Sequence, residues 1–189
     1  MTDFQPLSAE TVAHIKQCYH SYRNTVNADR QGLFFSPNCM QICRPIPSYA
    51  ATTREQIVQH IKEAARNSKK PAKGKSVYTI RPLQPFEFEF GNNDVTAPIG
   101  LTVEDLKHKA LQESWVGMRV DLWDEGGEDE GLLVKVQYWF RLEETLERQR
   151  VMGDDGWMGW KQCLHDIIYL GPKDGTEGQE GLEILERSS

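Results

Sequence analysis

The sequence contains no apolar run that approaches the ~20 residues needed to span a bilayer. Its opening residues, MTDFQPLSAE, carry neither a basic stretch nor an apolar one, so a secretory leader is not expected. Cysteine is scarce. Cys18, Cys39, Cys43 and Cys163 form no C-x-x-C pair and have no histidine at metal-ligand spacing. That argues against a zinc centre or a disulfide framework and fits buried, reduced thiols. Basic charge is short as well. With 22 Lys and Arg against 28 Asp and Glu, the net charge is −6, unlike a general nucleic-acid binder. The one basic cluster, Lys69 to Lys75, sits among Pro and Gly and reads as a solvated loop. Gly-rich phosphate loops, serine nucleophile motifs and HExxH are all missing. The expectation is a soluble cytoplasmic protein with no nucleic-acid or membrane partner.

What is present is a globular composition of 189 residues, with five Trp, six Tyr and seven Phe, enough for one domain with a substantial core. Ser8 caps a helix whose Val12, Ile15, Tyr19, Tyr22 and Val26 follow 3-4-3-4 spacing. Two of those inward positions are tyrosines, whose hydroxyls need a buried partner or a cavity. Leu33 to Phe35 supply one more turn, Ser36-Pro37-Asn38 breaks the chain, and Cys39 to Pro47 is a short strand. Thr52 and Glu55 form a capping box for a second helix. A strand at 76–83 is followed by an irregular insertion at about 84–113, in which Thr102 caps a third helix. Three long strands follow: Trp115 to Trp123, Leu132 to Arg141 and Trp160 to Leu170, the first two joined by an acidic turn. The order predicts an α+β fold, a curved antiparallel sheet with helices on its concave face. Residues 1–171 form the domain. Residues 172–189 are a Gly-rich and acidic mobile tail from which Leu182, Ile184 and Leu185 could dock.

The stretch LLVKVQYWFR has two useful faces. Val134, Val136, Tyr138 and Phe140 are assigned to the helices and the pocket. Lys135, Gln137, Trp139 and Arg141, with Arg119, Asp121 and Trp123, are assigned to a homodimer interface. The opposite phase would put Gln137 and Trp139 in the pocket.

This order, and above all the run from the helix-one tyrosines through LFFSPNCMQICRPIPSYAATTREQIVQHI, resembles the nuclear transport factor 2-like superfamily. Within it the chain is most similar to the SnoaL-like group, its fungal members included, with polyketide cyclases, ketosteroid isomerase and scytalone dehydratase as relatives. The resemblance implies a cone with a mostly apolar pocket for a small molecule. It also implies acid/base catalysis by an isomerase, cyclase or dehydratase without metal or organic cofactor. Many such proteins only bind or dimerise. Tyr19 or Tyr22 matches the isomerase tyrosine in type. The catalytic acid before the proline is replaced by Arg44, and the second acid falls at Gln137. Arg44 could instead steady a carboxylate, phosphate or enolate.

The remaining acid/base candidates are His165 and Asp166, which as strand neighbours must face opposite sides. A structural ion pair of Asp166 with Arg119 or Arg141, and of Asp121 with Lys135 or Arg141, competes with a catalytic reading. His14, His20, His60 and His108 read as solvated. The site expected from the sequence is His165 or Asp166 for proton transfer, with Tyr19, Tyr22, Arg44 and Tyr138 binding substrate. The rival expectation is a non-catalytic ligand-binding or dimerisation module.

Overall fold

The computed structural model describes residues 6–67, 75–125, 131–145, 158–177 and 183–186. Most of the basic cluster, most of the acidic turn, the link at 146–157 and Leu182 lie outside the described residues.

Helix α1 (Ala9–Arg23) starts where the Ser8 hydroxyl accepts the Thr11 N–H at 3.1 Å, and it buries Ile15, Tyr19 and Tyr22. The helix ends at Arg23, so Val26 falls beyond it and is 82% exposed instead of sharing the apolar face. The short helix α2 (Ala28–Gln31) and a 3-10 turn (Gly32–Phe34) lead into β1 (Phe35–Cys43). Ser36-Pro37-Asn38, expected to break the chain, lies inside β1. Proline is tolerated there because β1 is an edge strand whose register shifts between Phe35 and Met40. Helix α3 (Arg54–Asn67) begins one residue later than the expected Thr52 cap implies: the Thr53 hydroxyl accepts the Gln56 N–H, while the Thr52 N–H donates to Gln56 Oε1.

The other strands are β2 (Lys75–Pro82), β3 (Val116–Glu125), β4 (Leu132–Glu144), β5 (Met158–Pro172) and β6 (Glu183–Glu186). Together they form one curved α+β sheet in the order β1-β5-β4-β3-β2-β6. All neighbours are antiparallel except β1, which runs parallel to β5. The expected antiparallel sheet is therefore mixed. No hairpin ties β1 to β5, so turn geometry does not dictate their relative direction. Residues 183–186 of the tail pair with β2 as its outer neighbour.

The two faces of the sheet carry separate cores. On the inner face Tyr78, Met118, Val120, Val136, Tyr138 and Phe140 pack with Ile15, Tyr19 and Ile57 from α1 and α3. This is the phase assigned to Val134, Val136, Tyr138 and Phe140 from the sequence. The outer face is covered by the insertion, which holds α4 (Asn93–Thr96) and α5 (Val103–Gln112). The capping box of α5 forms as expected, Thr102 and Asp105 each accepting the other's backbone N–H. Phe88, Phe90 and Leu106 from this segment, with Trp115 just after it, pack on Trp139, Leu164 and Ile42. At Gly117 an added Cβ would lie 2.4 Å from Leu83 Cδ1 and 2.9 Å from Trp139 Cζ3, so the close approach of those side chains requires glycine.

Candidate functional site

The outer face is not the dimer surface expected from the sequence. Trp139 is 1% exposed, with Phe88 and Phe90 ring centroids 5.2 and 4.9 Å away. Gln137 donates to the Glu87 carbonyl at 3.1 Å. Arg141 is held by Glu113 at 2.6 Å and Glu143 at 2.9 Å. Trp123 packs with Val77 and Leu133. The insertion covers this face, because its Phe88, Phe90 and Leu106 side chains meet the apolar demand of Trp139 and Leu164. Gln137 and Trp139 also lie away from the inner face.

Arg44 and Asp166 occupy that outer side too. Arg44 Nε donates to Asp166 Oδ1 at 3.0 Å, and its Nη2 donates to Oδ2 at 2.7 Å and to Glu89 at 2.9 Å. The partner of Asp166 is thus Arg44, where the sequence pointed to Arg119 or Arg141. Asp121 pairs with Arg119 of its own strand at 3.0 Å, where Lys135 or Arg141 had been expected. Burial pushes the Asp166 carboxyl up, and Arg44 pulls it part of the way back. The structure separates this pair from the other expected site residues.

Those residues come together on the inner face. Tyr138 lies with its ring centroid 5.1 Å from Tyr19 and 4.9 Å from His165. Tyr19 is 5.7 Å from Tyr22 and 5.3 Å from Tyr78. The 3-4 spacing of α1 places Tyr19 and Tyr22 on one stripe, and the pleat of β4 and β5 places Tyr138 and His165 opposite. Burial pushes the Tyr19, Tyr22 and Tyr138 phenols up, so all three stay protonated and can donate. Their hydroxyls lie within interaction range of one another, yet Tyr19 Oη is buried without a well-formed hydrogen bond.

His165 is 4% exposed, and burial pulls its pKa down to about 3, so the ring is neutral. Gln41 Nε2 donates to the Tyr49 carbonyl, which turns Gln41 Oε1 toward His165 Nδ1 at 3.4 Å. That acceptor keeps the proton on Nδ1 and leaves the Nε2 lone pair facing Cys39 Sγ at 3.8 Å. Burial also pushes the Cys39 thiol up.

The sequence reading missed two residues here. His20, read as solvated, shares a short hydrogen bond between Nδ1 and the Tyr78 hydroxyl. Arg23 follows Tyr19 by one helical turn, and its guanidinium lies within electrostatic reach of Tyr19, Tyr22, Tyr78 and Tyr138. The i, i+4 relation of Tyr19 and Arg23 was the signal that could have found it.

A concavity of about 600 Å³ lies outside this cluster. Leu7, Leu83, Phe88, Leu111, Trp115 and Trp139 form most of its apolar wall. Among the described residues no helix is long and apolar enough to cross a membrane.

Comparison with known proteins agrees with the architecture. The sequence matches the SnoaL-like domain over residues 4–186. No curated protein and no solved structure matches it significantly. A match over nearly the whole chain, on a curved α+β sheet with helices against its inner face, means that the chain belongs to the SnoaL-like domain family.

Proposed function

We propose that the chain binds an apolar, oxygenated small molecule against the tyrosine cluster of the inner face. Membership of the SnoaL-like family supports a small-molecule role. The observation that carries the reading is the Tyr19 hydroxyl. It is a buried donor without a well-formed hydrogen bond among the described residues, in a ring of protonated phenols. Leaving such a group unsatisfied costs about 1–3 kcal/mol, which a ligand oxygen would offset. His165 supplies the catalytic extension. Its Nε2 can accept a proton, and Tyr138 or Tyr22 can steady the resulting oxyanion, as in a cofactor-free isomerase, cyclase or dehydratase. Asp166 and Arg44 have no part in that step, because each is satisfied by the other on the opposite face.

The outer concavity favours a second reading, a non-catalytic module that takes an apolar ligand there. Its volume lies within the range of small-molecule sites. Saturation-transfer NMR with a panel of oxygenated aromatic compounds separates the two. Binding weakened by Tyr19→Phe and unaffected by Leu111→Trp, which narrows the outer concavity, supports the inner site. Binding lost only in Leu111→Trp, or no binding at all, overturns it.

A further inference from the structure

Arg23 differs from the other partly buried arginines. Arg44, Arg54, Arg81, Arg119 and Arg141 each have a carboxylate within ion-pair distance. Arg23 has none among the described residues. Its hydrogen bond there runs from Nη2 to Ser76 Oγ at 3.5 Å, and its Nε is buried without a partner. A guanidinium in such a place is costly, since burial works against its charge and the groups that act on it most among the described residues are tyrosine hydroxyls. The unpartnered groups are chemically alike. Arg23 Nε–H and the Tyr19 O–H are both donors. Among the described residues the cluster therefore has two unused donors and one positive charge with no carboxylate beside it.

We propose that Arg23 and Tyr19 form an anion-recognition site, so that the ligand carries a carboxylate, enolate or phenolate on an apolar, ring-containing body. This rests on the inner-face reading above and adds the charge of the ligand to it. The planar fork of Arg23 suits two oxygens of a carboxylate, and the Tyr19 hydroxyl adds a further contact. The aromatic rings of Tyr22, Tyr78 and Tyr138 suit the apolar body.

Calorimetric titration of the full chain with 2-naphthoate and its neutral isostere 2-naphthamide tests the assignment. The wild-type protein is expected to bind the carboxylate at least tenfold more tightly than the amide. Arg23→Met should bring naphthoate down to the amide level while naphthamide affinity stays within about twofold. Equal wild-type affinities, or a carboxylate preference that survives Arg23→Met, would overturn the anion site and leave ligand binding on the inner face standing. Failure of both compounds to bind would count against inner-face binding itself and the anion site with it. Circular dichroism checks that Arg23→Met is folded. If it is not, Arg23→Lys decides: weaker naphthoate with unchanged naphthamide supports the site, and no change in either overturns it.

Discussion

Arg44 meets Asp166 fork to carboxylate, with Nε 3.0 Å from Oδ1 and Nη2 2.7 Å from Oδ2. The Asp166 side chain is fully buried, so removing the arginine strands a charge inside the protein. Arg44→Met should destabilise the fold by about 3 kcal/mol in urea unfolding at neutral pH. The pH dependence has a definite sign. Burial already holds the folded Asp166 carboxyl above its ordinary value, and loss of Arg44 raises it further. A carboxyl raised in the folded state favours folding in acid and loses that contribution as pH rises through the folded pKa. The Arg44→Met penalty should therefore shrink between pH 7 and pH 5. An equal penalty at both values would show that Asp166 is not the stranded group.

His165 gives the opposite slope. Its folded pKa is about 3 against an ordinary 6.5, so the unfolded chain binds the extra proton in that window. Stability is complete above about pH 6.5 and falls as pH drops toward 3, by up to about 1.4 kcal/mol per pH unit. His165→Gln should flatten this part of the stability profile. Denaturant midpoints at half-unit pH steps check it, and an unchanged slope would mean that His165 is not buried neutral.

Tyr19→Phe separates stability from function. The hydroxyl has no well-formed hydrogen bond among the described residues, so its removal should leave stability unchanged or raise it by up to about 1 kcal/mol. The same change should weaken binding of an oxygenated ligand severalfold. Loss of stability by more than about 1 kcal/mol would show that the hydroxyl is already satisfied.

Trp139→Ala should cost about 3–5 kcal/mol, because Phe88, Phe90 and Trp115 surround the indole. Sedimentation should show the same oligomeric state for the folded variant as for the wild type. A change of state with little loss of stability would restore Trp139 to an interface.

These outcomes trace what the residues themselves revealed. The 3-4 spacing of Ile15, Tyr19 and Tyr22 and the alternation of Val134 to Phe140 located the inner face, because each pattern reports its own burial. The insertion was legible as a segment but not as a cover. Phe86, Phe88 and Phe90 alternate with Glu87 and Glu89 as a strand would, but this segment joins no sheet, and nothing local shows that Phe88 and Phe90 dock on Trp139. The alternation of β4 therefore looked half exposed, and its outer face was assigned to a dimer. Arg44 and Asp166 are far apart in the chain, so their pairing depends on the parallel alignment of β1 with β5, which no turn encodes. Among the site residues, Tyr19, Tyr22, Tyr138 and His165 do share one cluster. Arg23 escaped notice because a cation in the last turn of a helix has an ordinary explanation in the helix dipole.

The most direct measurement is a carbon-13 spectrum of the full chain with ring-labelled tyrosines, titrated with 2-naphthoate. The six tyrosines are assigned by single Tyr→Phe variants. The account predicts that Tyr19, Tyr22 and Tyr138 shift together, while Tyr49, exposed beside His60, does not move. Saturable binding that leaves all three unshifted and perturbs only the indoles of Trp115 and Trp139 would contradict it and place the ligand on the other side of the sheet.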